Sequence, residues 1–169
     1  NLSASDKRII DNTKQMIDEA IHTLKEVSNH LSPHILTNFG LVRALNNYAG
    51  KLNGLHSIQI AIESVIGNRR FNYNIEVVLY RIITELINNT LKHAEATEII
   101  INVTASDELL VVEYRDNGKG FEPDKALNQM ESGMGYDNIN TRLKSILAQM
   151  KLQSNPGEGM YVKIDVPIY

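Results

Sequence analysis

The stretch from Asn74 to His93 constrains the fold most, because it has the pattern of one long helix with two different sides. Its apolar positions recur at helical spacing, which predicts a side that packs on a core. These positions are Leu79, Ile82, Ile83, Leu86 and Thr90. Polar residues at i, i+4 spacing bring a carboxylate, two amides, an ammonium and an imidazole to the other side. They are Glu85, Asn88, Asn89, Lys92 and His93.

The polar side of this helix has two interpretations. Most such stripes are the solvated outer face of an amphipathic helix. Asn88 and Asn89, however, lie in mid-helix, where asparagine lowers helix propensity without improving a solvent-exposed face. The two amides therefore favour a functional site over a plain surface.

Length and composition restrict the class of protein. A chain of 169 residues predicts one domain with an appendage. The net charge of −3 gives no general reason to bind nucleic acid or an anionic membrane. The absence of cysteine excludes disulfides and thiolate metal sites, and no apolar run approaches the ~20 residues of a spanning helix. Because the sequence starts with Asn1, we expect a fragment of a longer protein.

The N-terminal third of the chain has a helical pattern of its own. From Asp6 to about Leu31, apolar residues recur every seven positions, which predicts a helix that pairs with another helix. Packing on its own domain is the alternative. The Ser32-Pro33 step ends or kinks this helix, and a second helical segment follows. Gly50 to Gly54 resembles a linker, so we predict a helical segment over 1–53 and a second domain over 54–169.

The second domain alternates strand and helix patterns. Its predicted elements are a strand over 57–65, the long helix, strands over 99–105 and 109–114, a mobile loop over 115–132, a helix over 135–149 and strands over 151–154 and 160–168. Asn74 is the predicted N-cap of the long helix. The order predicts an α+β fold, a two-layer sandwich in which a mixed sheet carries its helices on one face.

Two glycine motifs flank the predicted loop. Asp116-Asn117-Gly118-Lys119-Gly120 follows a strand, but no strand comes next, which argues against a hairpin. Its glycines permit close backbone approach, and its carboxylate is an acceptor for an amine. Gly133-Met134-Gly135 precedes a helix, where an anion is favoured, although most such motifs are only hinges. It is neither the dinucleotide fingerprint nor a P-loop.

Taken in order, these motifs resemble the GHKL ATP-binding family of sensor histidine kinases, type II DNA topoisomerases, mismatch-repair ATPases and a heat-shock chaperone. Residues 85–94 resemble its N box, 116–120 its first glycine box and 133–135 its second; the resemblance covers about Ser57 to the C-terminus. The sequence KHA after the N-box asparagine, HLSPHIL and the run from Gly40 to Leu45 are similar to the kinases that partner NarL-type response regulators. The fold it implies is the Bergerat ATP-binding fold, preceded by a long helix from a dimerisation bundle.

The resemblance implies a role for each residue of these boxes. Asp116 would bind the adenine amine, and Gly118 and Gly120 would let the backbone pass under the base. Asn89 would hold Mg²⁺, and Glu85 would act as base or orient the attacking group. Lys92 and His93 would meet the phosphates, and Gly133 and Gly135 would close the lid over them. Asn88 and Met134 are further implied ATP-binding residues, and Arg142 is left open between phosphate and the helical bundle.

The implied function is to bind Mg·ATP and to donate its γ-phosphoryl group to a histidine of the dimerisation domain in two-component signalling. None of the five histidines is followed by Asp or Glu, so we expect no phosphoacceptor here and no autophosphorylation of this chain alone. The implied partners are its own dimerisation domain, a NarL-type regulator and a second copy through the N-terminal helix, with neither nucleic acid nor membrane contact. A cytoplasmic location is implied, whether or not the parent protein is membrane-anchored. The alternatives are another GHKL ATPase or an anti-sigma-type serine kinase, and a nucleotide-free scaffold.

Overall fold

A computed structural model describes residues 13, 34–55, 57–122 and 134–169, with the backbone alone for 134–138. The chain divides into two compact units, Asn1–Pro33 and His34–Tyr169. In the first unit only Thr13 is described, and it is helical. The predicted helix from Asp6 to Leu31 and its pairing through heptads therefore lie outside the described residues. Within the described part of the chain, no helix combines the length and apolarity needed to cross a membrane.

The second unit alternates helices with the strands of one sheet. Its elements are α1 (His34–Phe39), α2 (Leu41–Asn53), β1 (Gln59–Ser64), α3 (Tyr73–His93), β2 (Glu98–Ala105), β3 (Leu109–Asp116), α4 (Met134–Ser145), β4 (Gln149–Ser154) and β5 (Met160–Pro167). The sheet order is β1-β2-β3-β5-β4. β1 pairs with β2 in parallel and the other neighbours are antiparallel, so the predicted mixed sheet is confirmed.

The sheet buries one face against the helices. Alternate residues of the central strands are fully or almost fully buried. They are Ile99, Ile101 and Val103 of β2, Leu110, Val112 and Tyr114 of β3, and Val162, Ile164 and Val166 of β5. They form one core with Leu79, Ile82, Ile83 and Ile87 of α3. Each such side chain contributes about 1.5–3 kcal/mol by leaving water, which fixes which side of α3 faces the sheet.

An ion pair with a buried carboxylate ties α1 to the start of α3. Glu76 is 0% exposed and accepts hydrogen bonds from Arg70 Nη2 at 2.8 Å, Arg70 Nε at 2.9 Å and the Phe71 N–H at 3.1 Å. Arg70 Nη2 also donates to the Thr37 carbonyl of α1 at 3.1 Å. The buried carboxylate is thus fully satisfied, as its burial requires.

The predicted linker at Gly50 to Gly54 differs from the structure. α2 continues through Gly50 to Asn53, and the Asn53 side chain bonds both the N–H and the carbonyl of Ile60 at 2.8 and 3.0 Å. Leu45 and Ala49 of α2 join the core of the sheet, so the compact unit begins at His34 rather than at residue 54. Tertiary packing here overrides the weak helix propensity of glycine. Assignment of 1–53 to a dimerisation domain stays a prediction.

Several element boundaries also differ. The N-cap of α3 is Asn72, whose side chain accepts from the Asn74 N–H at 2.9 Å; the prediction of Asn74 as the cap was wrong. β3 extends two residues further, to Asp116. α4 ends at Ser145, four residues before the predicted end at Gln149, because the chain turns at Leu147, whose φ is 55°.

Candidate functional site

Asp116, the last residue of β3, is a buried carboxylate that the fold holds in place. It is 2% exposed. Its Oδ1 accepts from the Gly118 N–H at 2.9 Å, and its Oδ2 accepts from the Thr90 hydroxyl of α3 at 2.8 Å. A carboxylate has about four acceptor positions, so it retains capacity for a further donor. Burial of a charge with spare acceptor capacity is costly unless a ligand or water supplies that donor.

A chain of hydroxyl groups orients Thr90. Because a carboxylate only accepts, Thr90 must donate to Asp116, and in its 2.7 Å contact with the Tyr114 hydroxyl the tyrosine must be the donor. Burial raises the pKa of Tyr114 well above its ordinary value, and the nearby Asp116 carboxylate raises it further. The phenol therefore stays protonated. Asp116, Thr90, Tyr114 and Gly118 are called the Asp116 network below.

The glycine-containing loop after β3 packs tightly on the end of α3. The Asn117 side chain accepts from the N–H groups of Thr97 and Glu98 at 2.9 and 3.0 Å, which ties the loop to the start of β2. The Lys119 N–H donates to the Ala94 carbonyl at 2.8 Å. A Cβ at Gly118 would lie 2.6 Å from Ala94, so here glycine is needed for protein packing. Its predicted place under a base stays a prediction.

The β4–β5 hairpin closes the other side of Asp116. Ser154, which is buried, accepts from the Phe121 N–H at 3.0 Å and donates to the Gly159 carbonyl at 2.7 Å. A Cβ at Gly159 would lie 2.1 Å from the Asp116 carbonyl, and one at Gly120 2.0 Å from the carbonyl of the hairpin's Asn155. These contacts require the absence of a side chain. The hairpin thus fixes the backbone that carries the carboxylate.

The predicted polar side of α3 has a different character. Glu85 and Asn89 are half-buried, and Lys92 and His93 are exposed. No hydrogen bond or ion pair reaches these four side chains from the part of the chain that the structure describes. Glu85, Asn89, Lys92 and His93 are called the polar face of α3 below. The structure brings them together on the helix that also supplies Thr90.

Asn88 has a partner that the sequence did not suggest. Its Oδ1 accepts from the Tyr48 hydroxyl of α2 at 3.0 Å. The Tyr48 ring meets Tyr80 of α3 edge-on, with ring centroids 6.3 Å apart. α2 thus contacts α3 within one turn of Glu85 and Asn89.

The second glycine box is only partly described. Gly133 lies outside the described residues, whereas Met134 and Gly135 form the first two residues of α4. The helix therefore begins one residue earlier than the predicted start at Gly135. Among the described residues, no group of three or more His, Asp or Glu side chains converges as a metal site would. A cation here would depend on Asn89 and on oxygens from a ligand.

Several site residues escaped sequence reasoning. Thr90 lies at core spacing, and the helical pattern does not distinguish its hydroxyl from an apolar side chain. Ser154 and Tyr48 carried no local motif, because their roles depend on strand register and on a contact across 40 residues of sequence. Asn117 did carry a signal, since asparagine before glycine often bonds nearby backbone.

The five-stranded mixed sheet, with a buried Asp at the end of its third strand and a polar helix face beside it, defines an ATPase-type α+β domain. Residues 74–169 match the family described as Histidine kinase-, DNA gyrase B-, and HSP90-like ATPase, and the chain belongs to this family. α2, with Tyr48, precedes the matched residues.

Solved structures of a histidine kinase share the fold. The histidine kinase domain of the blue-light activated histidine kinase from Erythrobacter litoralis is 20% identical with a TM-score of 0.59, over 73% of this chain and 59% of that one. A second structure of that kinase is 20% identical with a TM-score of 0.62, over 76% of this chain and 42% of the other. The chain thus spans about half the length of these kinases.

Proposed function

We propose that this chain binds Mg·ATP and donates the γ-phosphoryl group to a histidine of a dimerisation domain in a two-component kinase. The observation that carries the proposal is Asp116, a carboxylate 2% exposed and fixed by the Gly118 N–H and the Thr90 hydroxyl. Family membership and the fold shared with a histidine kinase domain support it.

The Asp116 network fits an adenine base. An exocyclic amine offers the N–H donor that the remaining acceptor positions of Asp116 lack. The Gly118 N–H and the Thr90 hydroxyl prevent the carboxylate from turning away, because each already bonds one of its oxygens. Met160 pairs with Asp116 across β3 and β5, so an apolar side chain adjoins the proposed base site. The network would therefore select adenine over a base with a carbonyl at that position.

The polar face of α3 fits phosphates and a hydrated cation. Lys92 and His93 are exposed at the C-terminal end of the helix and would contact phosphoryl oxygens. Asn89 would hold Mg²⁺ through its amide oxygen, which suits an ion that keeps most of its water. Mg²⁺ supplies neutralisation of phosphate charge. Glu85, one turn before Asn89, would accept a proton or orient the incoming histidine.

The remaining assignments concern the lid and the partners. Gly133, Met134 and Gly135 would close over the phosphates, and Arg142 would reach either a phosphate or the helical bundle. The phosphoacceptor would come from a dimerisation domain, and a NarL-type response regulator would receive the phosphoryl group. A second copy would pair through the N-terminal helix. In this proposal the chain is the catalytic part of the kinase.

The test is isothermal titration calorimetry with Mg·ATP and with Mg·ITP, which has a carbonyl where adenine has its amine. We expect ATP to bind and ITP to bind about 100-fold more weakly, because a carbonyl facing Asp116 pairs two acceptors. Asp116→Asn should lose the preference for ATP. The matched control is Asp107→Asn in the exposed β2–β3 turn, which should behave as wild type. Urea unfolding confirms that each variant is folded.

Two outcomes would redirect the proposal. A folded wild-type domain that binds neither nucleotide would favour a scaffold or dimerisation module. ATP binding without acid-labile phosphohistidine on an acceptor helix supplied in trans would favour another GHKL ATPase or a serine kinase.

A further inference from the structure

Tyr48 connects α2 to the functional helix from outside the family-matched residues. Its hydroxyl donates to Asn88 Oδ1 at 3.0 Å, and its ring packs edge-on against Tyr80 at an interplanar angle of 74°. The bond joins two residues 40 positions apart in sequence. Asn88 directly precedes Asn89 and lies three residues after Glu85, so the contact is made beside the proposed phosphate site.

The bond leaves Asn88 with an unmatched donor. An asparagine amide has one oxygen acceptor and two N–H donors, and Tyr48 occupies the oxygen. Within the described ranges, no acceptor reaches Asn88 Nδ2. Asn88 is half-buried, and its Nδ2 is not one of the buried side-chain atoms that lack a partner, so the N–H donors are accessible to a ligand oxygen. By engaging the oxygen, Tyr48 also settles which end of the amide remains available.

We infer that Tyr48 is a positioning residue for the phosphate half of the nucleotide site, and that it holds the Asn88 amide so that its N–H donors serve phosphoryl oxygens. The inference rests on the proposed function and adds to it a residue of α2, which no part of the family match contains. Tyr48 itself contacts no nucleotide in this proposal.

The electrostatic surroundings keep Tyr48 in the required form. Burial raises the pKa of Tyr48, the hydrogen bond to Asn88 lowers it, and the Glu85 carboxylate raises it; burial is the largest of these effects. The phenol therefore remains a protonated donor at neutral pH.

The experiment compares Tyr48→Phe with Tyr80→Phe by calorimetry, using adenosine and Mg·ATP as ligands. Tyr48→Phe removes the hydroxyl and keeps the ring, so Mg·ATP should bind about threefold to tenfold more weakly while adenosine binding stays unchanged. Tyr80→Phe makes the same chemical change in the adjoining ring, whose hydroxyl has no hydrogen bond within the described residues. It should leave the ratio of the two affinities unchanged.

A double-mutant cycle identifies the route. If Tyr48 acts through Asn88, Tyr48→Phe should have no further effect on Mg·ATP binding in an Asn88→Ala background. If the ratio of the adenosine and Mg·ATP affinities is unchanged in folded Tyr48→Phe, whether or not both are weakened, the inference is overturned. Tyr48 would then be only a structural link between α2 and α3. Failure of the folded wild type to bind Mg·ATP would instead overturn the proposed function, and the inference with it.

Discussion

The Asp116 network and the polar face of α3 share one helix, but their polar groups differ in burial and in hydrogen bonding. Thr90 and Asn89 are neighbours in sequence, but Thr90 is 2% exposed and bonded to Tyr114 and Asp116. Asn89 is half-buried, and its side chain has no hydrogen bond from the described residues. Hydrogen bonds within the fold hold the polar groups of the Asp116 network, whereas no such bonds from described residues hold the side chains of the polar face.

Because of this difference, substitutions in the two regions should have different effects on the stability of the domain. A buried group whose partner is removed loses the full cost of desolvation, so substitutions in the Asp116 network should lower the stability of the domain. Substitutions on the polar face remove no hydrogen bond or ion pair among the described residues and should affect mainly ligand binding. The predictions below test this contrast in order of their expected effect on the free energy of unfolding.

The largest effect is expected for Gly159→Ala. The new Cβ would lie 2.1 Å from the Asp116 carbonyl, at a φ of 73°, so backbone must move and the loss should be about 3 kcal/mol. Gly157→Ala is the matched control, because Gly157 has a φ of 85° with nothing within 4 Å of the added carbon. Gly157→Ala should lower the free energy of unfolding only because alanine must adopt a left-handed conformation there, at about 1 kcal/mol. Urea unfolding measures both; equal losses would mean that the hairpin does not press on Asp116.

The second prediction removes one hydroxyl from the network. Thr90→Val keeps the shape of the side chain but deletes the donor to Asp116 and the acceptor for Tyr114, so stability should fall by about 2 kcal/mol and ATP binding should weaken. Thr84→Val is the control at the earlier threonine of the same helix, since its buried hydroxyl bonds, among the described residues, only the Tyr80 and Arg81 carbonyls of α3. Its effect should be much smaller. If Thr84→Val proves as costly, loss of any buried hydroxyl would explain the result.

Periodicity accounts for most of the fold that could be predicted. The alternation in β2 and β3 and the helical spacing of α3 gave the element order, the mixed sheet and the end of α3 at His93. What failed were positions decided by distant contacts. Gly50 stays helical because Ala49 and Asn53 on either side of it are held by the core and by Ile60, and Leu147 adopts a left-handed φ that no local residue signals.

In the candidate site, too, local patterns could be predicted and distant contacts could not. Sequence motifs identified the groups that face outward, because a carboxylate, amides and glycines at fixed spacing are visible along the chain. The bonds that hold Asp116 were invisible, since they join α3, β3 and the final hairpin through Thr90 and Ser154. Local spacing thus finds the residues of the predicted site, and only the packed fold shows what supports them.

The third prediction addresses the polar face of α3. Asn89→Ala and Lys92→Ala should each change the free energy of unfolding by no more than about 0.5 kcal/mol, because neither side chain bonds a described residue. Both should weaken Mg·ATP binding, whereas adenosine binding should stay at the wild-type value. Calorimetry and urea unfolding on the same samples make the comparison. A stability loss as large as that of Thr90→Val would show that the polar face is a structural element of the fold.

The smallest effect is expected at Lys119, which lies in the glycine-containing loop but pairs at the surface. Its Nζ is 2.9 Å from Glu95 Oε1, with side chains 58% and 81% exposed, so Lys119→Ala should cost less than about 0.5 kcal/mol and nothing at high salt. The bonds of its backbone to Ala94 and Gly157 do not involve the side chain and should persist. Glu95→Gln, which removes the other charge, should match it in urea unfolding at low and high salt. If either variant lowered the free energy of unfolding as much as Thr90→Val, the exposed ion pair would also be stabilising the loop. The contrast between buried supporting groups and exposed binding groups would then not hold where the two regions adjoin.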